Sequence, residues 1–248
     1  MSLLDTKREW DDLGELDPFW ATITDPEQKH GRGDLAKYLE TGEVEIDAVM
    51  AAAERLGFPA ERREALDFGC GLGRLTRALS RHFDRCWGVD ISESMIARAT
   101  ELHRAEPKCR FLVNGEDRLA MFQDGQFDLI YSNVVLEHAP DEATIRGYIS
   151  ELVRTLRPGG ILIFQLPSHI PWRKRLQPRR RLYHLLRAFG FDKRFLYERL
   201  SLYPIRMNFV PERAVIALLE QRGARVLDVH PDTNAGPMIE SRTYYATR

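Results

Sequence analysis

The chain has 248 residues, 44% hydrophobic and 29% charged, with a net charge of −1. That length and apolar content suffice for one substantial core, and the near-balance of charge excludes a global electrostatic case for wrapping nucleic acid. No apolar run approaches the roughly 18 residues of a membrane span. Cys70, Cys86 and Cys109 are widely spaced with no CxxC pair. Neither a metal site nor a disulfide framework is therefore expected. The opening MSLLDTKREW lacks the apolar core of a signal peptide, so the expected location is cytoplasmic.

Four segments are expected along the chain. Residues 1–58 form an N-terminal helical arm. Within it, Glu43–Leu56 reads as a helix stopped by Gly57. Upstream, Trp10, Phe19, Trp20 and Tyr38 sit among turn residues such as Asp17-Pro18 and Asp25-Pro26. Such aromatics either pack on the core or cover a ligand.

Residues 59–167 alternate strands and helices, as a doubly wound α/β sheet requires. Residues 64–75 read EALDFGCGLGRL. The apolar run ends at Asp67 and Gly69, Gly71 and Gly73, and a helix then begins. Glycines permit positive φ and close approach of backbone to a ligand, and the following helix N-terminus favours polar or anionic groups. The spacing is GxGxG, with Arg74 where the last glycine of the dinucleotide fingerprint would stand, which weakens NAD or FAD. Residues 86–90, CWGVD, form a second strand ending in Asp90, about twenty residues on, where a carboxylate can accept ribose hydroxyls. Ser92 caps the next helix. A third strand, 110–113, leads into NGED, residues 114–117. Residues 127–140, FDLIYSNVVLEHAP, give a fourth strand and its exit. A helix with Ile145, Tyr148, Ile149, Leu152, Val153 and Leu156 on one stripe follows. Pro158-Gly159-Gly160 ends that helix, and a fifth strand runs to Pro167.

These segments, in this order, resemble the class I S-adenosylmethionine-dependent methyltransferases over roughly residues 62–167. The resemblance implies a seven-stranded, mostly parallel sheet with a terminal antiparallel hairpin. It also implies S-adenosyl-L-methionine as cofactor and S-adenosyl-L-homocysteine as product. It places Asp67, Gly69, Gly71, Gly73, Asp90, Ile91, Asn114, Gly115, Glu116, Ser132 and Asn133 around that cofactor. Asn114 would hold the adenine amino group, with an Asx turn as its structural alternative. N-terminal segments in such proteins often cover the cofactor. His138, after the fourth strand, is the first candidate base, and His169, after the fifth, the second. A His in an LEH segment can instead be structural. No DPPY or NPPY motif is present, which argues against N-methylation of nucleic-acid bases. The implied acceptor is a small molecule, a sugar or a lipid, methylated on oxygen. The alternatives are an RNA or tRNA methyltransferase and a non-catalytic S-adenosylmethionine-binding module.

Residues 168–205 are a basic helical insertion after strand five. Between Arg173 and Arg199, Lys or Arg stands at 173, 174, 175, 179, 180, 181, 187, 193, 194 and 199, opposed only by Asp192 and Glu198. Leu, Phe, Tyr and Trp interleave with these charges. Pro178 opens one helix, Gly190 closes it, and Asp192 caps another. The readings are a solvated basic face, a substrate cap selecting an anionic acceptor, a peripheral membrane contact or an RNA surface. Residues 206–248 finish the core with a helix over 210–222 and strands over 224–230 and 243–247, joined by a loop over 231–237.

Overall fold

The structure is a computed structural model that describes residues 2–23 and 34–248. Its strands are β1 (Glu64–Phe68), β2 (Arg85–Asp90), β3 (Cys109–Val113), β4 (Phe127–Ser132), β5 (Leu156–His169), β6 (Arg225–Asp232) and β7 (Glu240–Thr247). The helices are α1 (Leu3–Leu16), α2 (Pro18–Ile23), α3 (Leu35–Arg55), α4 (Arg74–Leu79), α5 (Glu93–Leu102) and α6 (Glu142–Thr155). They continue as α7 (Trp172–Arg175), α8 (Pro178–Ala188), α9 (Lys193–Leu200) and α10 (Glu212–Gln221), with a 3-10 turn at Leu136–His138. The strands form one seven-stranded sheet in the order β3-β2-β1-β4-β5-β7-β6. The first five are parallel, and β7 runs antiparallel to both β5 and β6. The doubly wound, mostly parallel sheet implied by the sequence is the fold observed.

Strand alternation divides the core into two layers. Leu66, Ile130, Leu162 and Phe164 pack with Ile145, Ile149 and Leu152 of α6 and Val215 and Leu219 of α10. Their neighbours Ala65, Leu129, Ile161 and Ile163 pack with Ile46 and Met50 of α3 and Leu75 and Leu79 of α4. The chain runs outward from β1 through β2 to β3, then returns to lay β4 on the other side of β1. Strand order therefore reverses between β1 and β4, and a crevice opens beyond their carboxyl ends.

Several boundaries differ from the sequence reading. α3 starts at Leu35 rather than Glu43, capped by Asp34, whose carboxylate accepts the Ala36 and Lys37 amides. Tyr38 is thus helical, not in a turn. Trp10 lies in α1 and Phe19 and Trp20 in α2, so these aromatics stand on helices rather than among turns. Asp25-Pro26 lies outside the described residues. Pro158–Gly160 fall inside β5. Phe127 pairs with Leu156 but Leu129 with Ile161, so the intervening residues bulge from the strand instead of forming a separate turn. β6 extends to Asp232 and β7 begins at Glu240, so the connecting loop is 233–239 rather than 231–237. Pro231 is tolerated because β6 is the sheet edge.

The insertion folds as the sequence suggests, with Pro178 opening α8 and Asp192 capping α9. Its small core is Tyr183, Leu196 and Leu202. It docks on the acidic side of α1. Arg180 pairs with Glu9 at 2.7 Å, and Lys193 with Asp12 at 2.5 Å and Glu15 at 2.9 Å. The Tyr197 hydroxyl donates to Asp17 at 2.7 Å.

Candidate functional site

The glycine loop lies under two covering side chains. A Cβ on Gly69 (φ +83°) would sit 2.3 Å from Val135 Cγ2, and one on Gly71 (φ +52°) 2.3 Å from Thr22 Cγ2. No larger residue fits at either position without displacing its cover. The Gly69 and Cys70 amides donate to the Val89 carbonyl at 2.8 and 2.9 Å, fastening the loop to β2. The Gly71 amide donates to Asp90 Oδ2 and the Ser92 amide to Asp90 Oδ1, each at 2.9 Å. Each Asp90 oxygen thus keeps acceptor capacity. Burial raises the pKa of Asp90, and those amides oppose the rise.

The loop, Asp90, Ile91 and Asn114 form the floor of a cavity of about 110 Å³, partly open to solvent. Asn133 to Leu136 and His138 form one wall, and Leu3, Thr6 and Trp10 of α1, with Thr22 and Tyr38, form the roof. Asn114 Nδ2 donates to the Glu116 carbonyl at 3.2 Å, while its buried Oδ1 has no partner among the described residues. Arg74 Nη2 pairs with Glu45 at 2.8 Å, whereas its buried Nη1 has no partner among the described residues. Glu45 also accepts from the Tyr131 hydroxyl at 2.9 Å and from Asn133 Nδ2 at 2.8 Å.

His138 is buried in the 3-10 turn, its ring 5.3 Å from that of Trp10. Its Nδ1 donates to the Arg206 carbonyl at 2.5 Å. That bond fixes the tautomer and leaves Nε2 as the acceptor. Burial pulls its pKa down to about 4, so the ring is neutral near pH 7. The adjacent Glu137 is fully buried, and neither carboxyl oxygen has a partner among the described residues. Burial, with Asp232 nearby, pushes its pKa up to about 8.

Of the residues named from sequence, Gly69, Gly71, Asp90, Ile91, Asn114, Asn133 and His138 line this cavity. Asp67, Gly73, Gly115, Glu116, Ser132 and His169 do not. Asp67 is buried behind the loop, accepts from the Thr76 hydroxyl at 2.7 Å, and is raised to about pKa 7 by burial. Gly73 begins α4 against Phe111. Glu116 offers its carbonyl to Asn114 and to the Tyr148 hydroxyl, and Gly115 connects them. The Ser132 hydroxyl ties β4 to the Phe68 carbonyl at 3.0 Å. His169, the last residue of β5, packs edge-on against Phe209. Sequence reasoning gave no site role to Arg74 or Thr22, whereas Trp10 and Tyr38, read as aromatics that pack on the core or cover a ligand, line the cavity. Arg74 was noted only as a missing glycine, although a cation directly after a ligand loop was the available signal.

None of the residues 168–205 lines the cavity. Arg179 donates to the Ser201 carbonyl and Arg180 to the Pro204 carbonyl. Among the described residues no group of three His, Cys, Asp or Glu could hold a metal ion, and no helix is long and apolar enough to cross a membrane.

Sheet order, crevice and glycine loop together define a class I methyltransferase fold. Residues 66–164 match the family described as a methyltransferase domain. The 2-methyl-6-phytyl-1,4-hydroquinone methyltransferase of Synechocystis is 31% identical over 157 residues, 62% of this chain and 48% of that protein. A trans-aconitate 2-methyltransferase of Variovorax paradoxus is 31% identical over 188 residues, 73% of this chain and 66% of that one. The chain spans about half the length of the first of these relatives. Magnesium protoporphyrin IX methyltransferase from Synechocystis, solved with S-adenosylhomocysteine, shares the fold over 99% of both chains, with a TM-score of 0.64 and 19% identity. Residues 66–164 carry a methyltransferase domain, and the chain has the fold of class I S-adenosylmethionine-dependent methyltransferases.

Proposed function

We propose that this chain binds S-adenosyl-L-methionine in the cavity and methylates an oxygen of a small, largely apolar acceptor. The observation that carries the reading is the unused hydrogen-bonding capacity around the cavity. It matches the cofactor group by group. Asp90 would accept from the ribose hydroxyls, the orphaned Asn114 Oδ1 from the adenine amino group, and the buried Arg74 Nη1 would donate to the methionine carboxylate. Gly69, Gly71 and Ile91 would bring backbone against the ligand. The cofactor supplies an activated methyl group. The protein's part is then to orient the acceptor, exclude water and receive a proton.

His138 is the residue proposed to receive it. With Nδ1–H held by Arg206, only Nε2 can accept, and the neutral ring is available near pH 7. Leu3, Trp10, Val135, Leu136 and Ala139 line the cavity with His138. Such walls favour an apolar acceptor carrying a hydroxyl, such as a phenol or quinol with a lipid-type tail. Relatives named for a phytyl hydroquinone and for tocopherol support that class. A tailed acceptor of this kind resides in a bilayer, so the reading includes peripheral contact with a membrane. An anionic acceptor held by Arg179–Arg181 is not supported, because those residues lie outside the cavity.

A thermal-shift titration tests the cofactor assignment. S-adenosylhomocysteine at a hundred times its Kd should stabilise the fold by about 2.7 kcal/mol, and NAD should not. Stabilisation by NAD alone would reject the reading. Turnover is tested by transfer of labelled methyl from S-adenosylmethionine to a panel of tailed phenols and quinols. Saturable cofactor binding with no transfer to any of them would favour the non-catalytic module.

A further inference from the structure

The inward side of the basic insertion is accounted for by α1, whose carboxylates take Arg180 and Lys193. Its outward side is not. On α8 and its C-cap, Leu182, Leu185 and Phe189 follow i, i+3, i+7 spacing and form one stripe, all exposed, while Tyr183 is buried beneath. Phe189 is 74% exposed and Trp172, on α7, 67%. The turn into α9 adds Phe191 and the first turn of α9 adds Phe195, both exposed, with ring centroids 6.3 Å apart. Apolar side chains scattered singly over a surface need no explanation, whereas a concentration of them marks a contact.

Two cations flank that stripe. At 3.6 residues per turn, Arg179 and Arg181 fall roughly 80° to either side of the line through Leu182, Leu185 and Phe189. Arg173, Arg175, Arg187 and Arg199 stand in the same 172–200 segment. None of these six has a carboxylate partner among the described residues. An apolar stripe with a guanidinium on each flank is the pattern of a helix lying in a lipid interface. Its Leu and Phe enter the acyl boundary and its arginines reach the phosphates. A second copy of this chain would set arginine against arginine across a two-fold contact.

We propose that the outward face of α7, α8 and α9 docks the protein on an anionic lipid bilayer. Docking presents α1, and the cavity that it roofs, next to the membrane. The proposal deepens the lipid-type acceptor reading and rests on it for its purpose, but the binding itself is measured without turnover.

The test is flotation of the full chain with vesicles of phosphatidylglycerol and phosphatidylcholine, against vesicles of phosphatidylcholine alone. Binding is expected only to the anionic vesicles. It should weaken as salt rises from 0.1 to 1 M and the screening length falls from about 10 to about 3 Å. Arg179→Gln with Arg181→Gln should lower the partition coefficient by about fivefold per arginine. Leu182→Ser, Leu185→Ser and Phe189→Ser together should lower it by more than about tenfold. Every variant should keep the wild-type thermal shift with S-adenosylhomocysteine, which reports an intact fold and separates failure of docking from failure of the cofactor assignment. Wild-type failure to float with anionic vesicles would overturn the proposal. So would undiminished binding by the triple serine variant, which would mean charge attraction without insertion. A dimer in solution that the serine variant abolishes, without vesicle binding, would assign the face to a second copy instead.

Discussion

The floor of the cavity is fastened by bonds from backbone amides, such as Gly69 to the Val89 carbonyl and Gly71 to the Asp90 carboxylate. The roof is fastened from behind. α1 is held by Arg180, Lys193 and Tyr197, residues more than 170 positions further along the chain. The floor carries polar atoms with unused capacity, at Asp90, Asn114 and Arg74, and the roof contributes mostly apolar and ring surface. In the proposed function, specific recognition belongs to the floor and exclusion of water to the roof. The two should also fail differently. Floor bonds are short-range and insensitive to salt, whereas the ion pairs behind α1 are partly exposed and screened.

The largest expected effect lies where floor and roof meet. His138→Ala should lower turnover by about 10²–10⁴-fold with cofactor affinity nearly unchanged. Because burial sets the pKa of His138 near 4, the acid limb of wild-type turnover from this group should fall near that pH rather than near 6.5. Normal turnover in a folded variant would make the ring a structural support for the 206–208 segment. Next in size, Asp90→Ala should weaken S-adenosylhomocysteine binding by about a hundredfold or more, for two charge-assisted bonds at about 1.5–3 kcal/mol each. Calorimetry giving wild-type affinity would remove Asp90 from the site.

Glu137 sharpens the comparison through pH. Its buried carboxyl keeps its proton up to about pH 8, while in the unfolded chain it releases it near 4.5. The stability this contributes is complete below 4.5 and is lost as pH rises through 8. Glu137→Gln should therefore gain on wild type between pH 6 and pH 9, by on the order of a few kcal/mol. Parallel unfolding curves at the two pH values would mean that the carboxyl is ionised in the fold. The smallest effect is in the roof. Lys193→Ala breaks two partly exposed pairs and should cost no more than about 1 kcal/mol of stability by chemical denaturation. A loss several times larger would mean that the insertion and α1 support the whole domain.

The same division decided what could be read from the sequence. Floor elements are local. An apolar run, an acidic end and a glycine cluster are contiguous, so Gly69, Gly71, Asp90 and Asn114 could be named without coordinates. The roof gave no such pattern. In α1 the buried residues are Thr6, Leu13 and Gly14, which make no apolar stripe, because its inner face meets polar partners. Asp11, for example, accepts from the Ser92 hydroxyl at 2.7 Å. The match between acidic α1 and the basic insertion was hidden by sequence separation, and the +8 segment looked like an unanswered charge. His169 was named for its place after β5. The β5–β7 pairing extends to that residue and keeps it on the sheet, away from the cavity.

A crystal structure of the chain grown with S-adenosylhomocysteine tests the central claim most directly. The account predicts density in the cavity beneath α1, with the ribose hydroxyls on Asp90, the adenine amino group on Asn114 Oδ1 and the carboxylate on Arg74. Density elsewhere, or in the cavity with none of these three contacts, would contradict it.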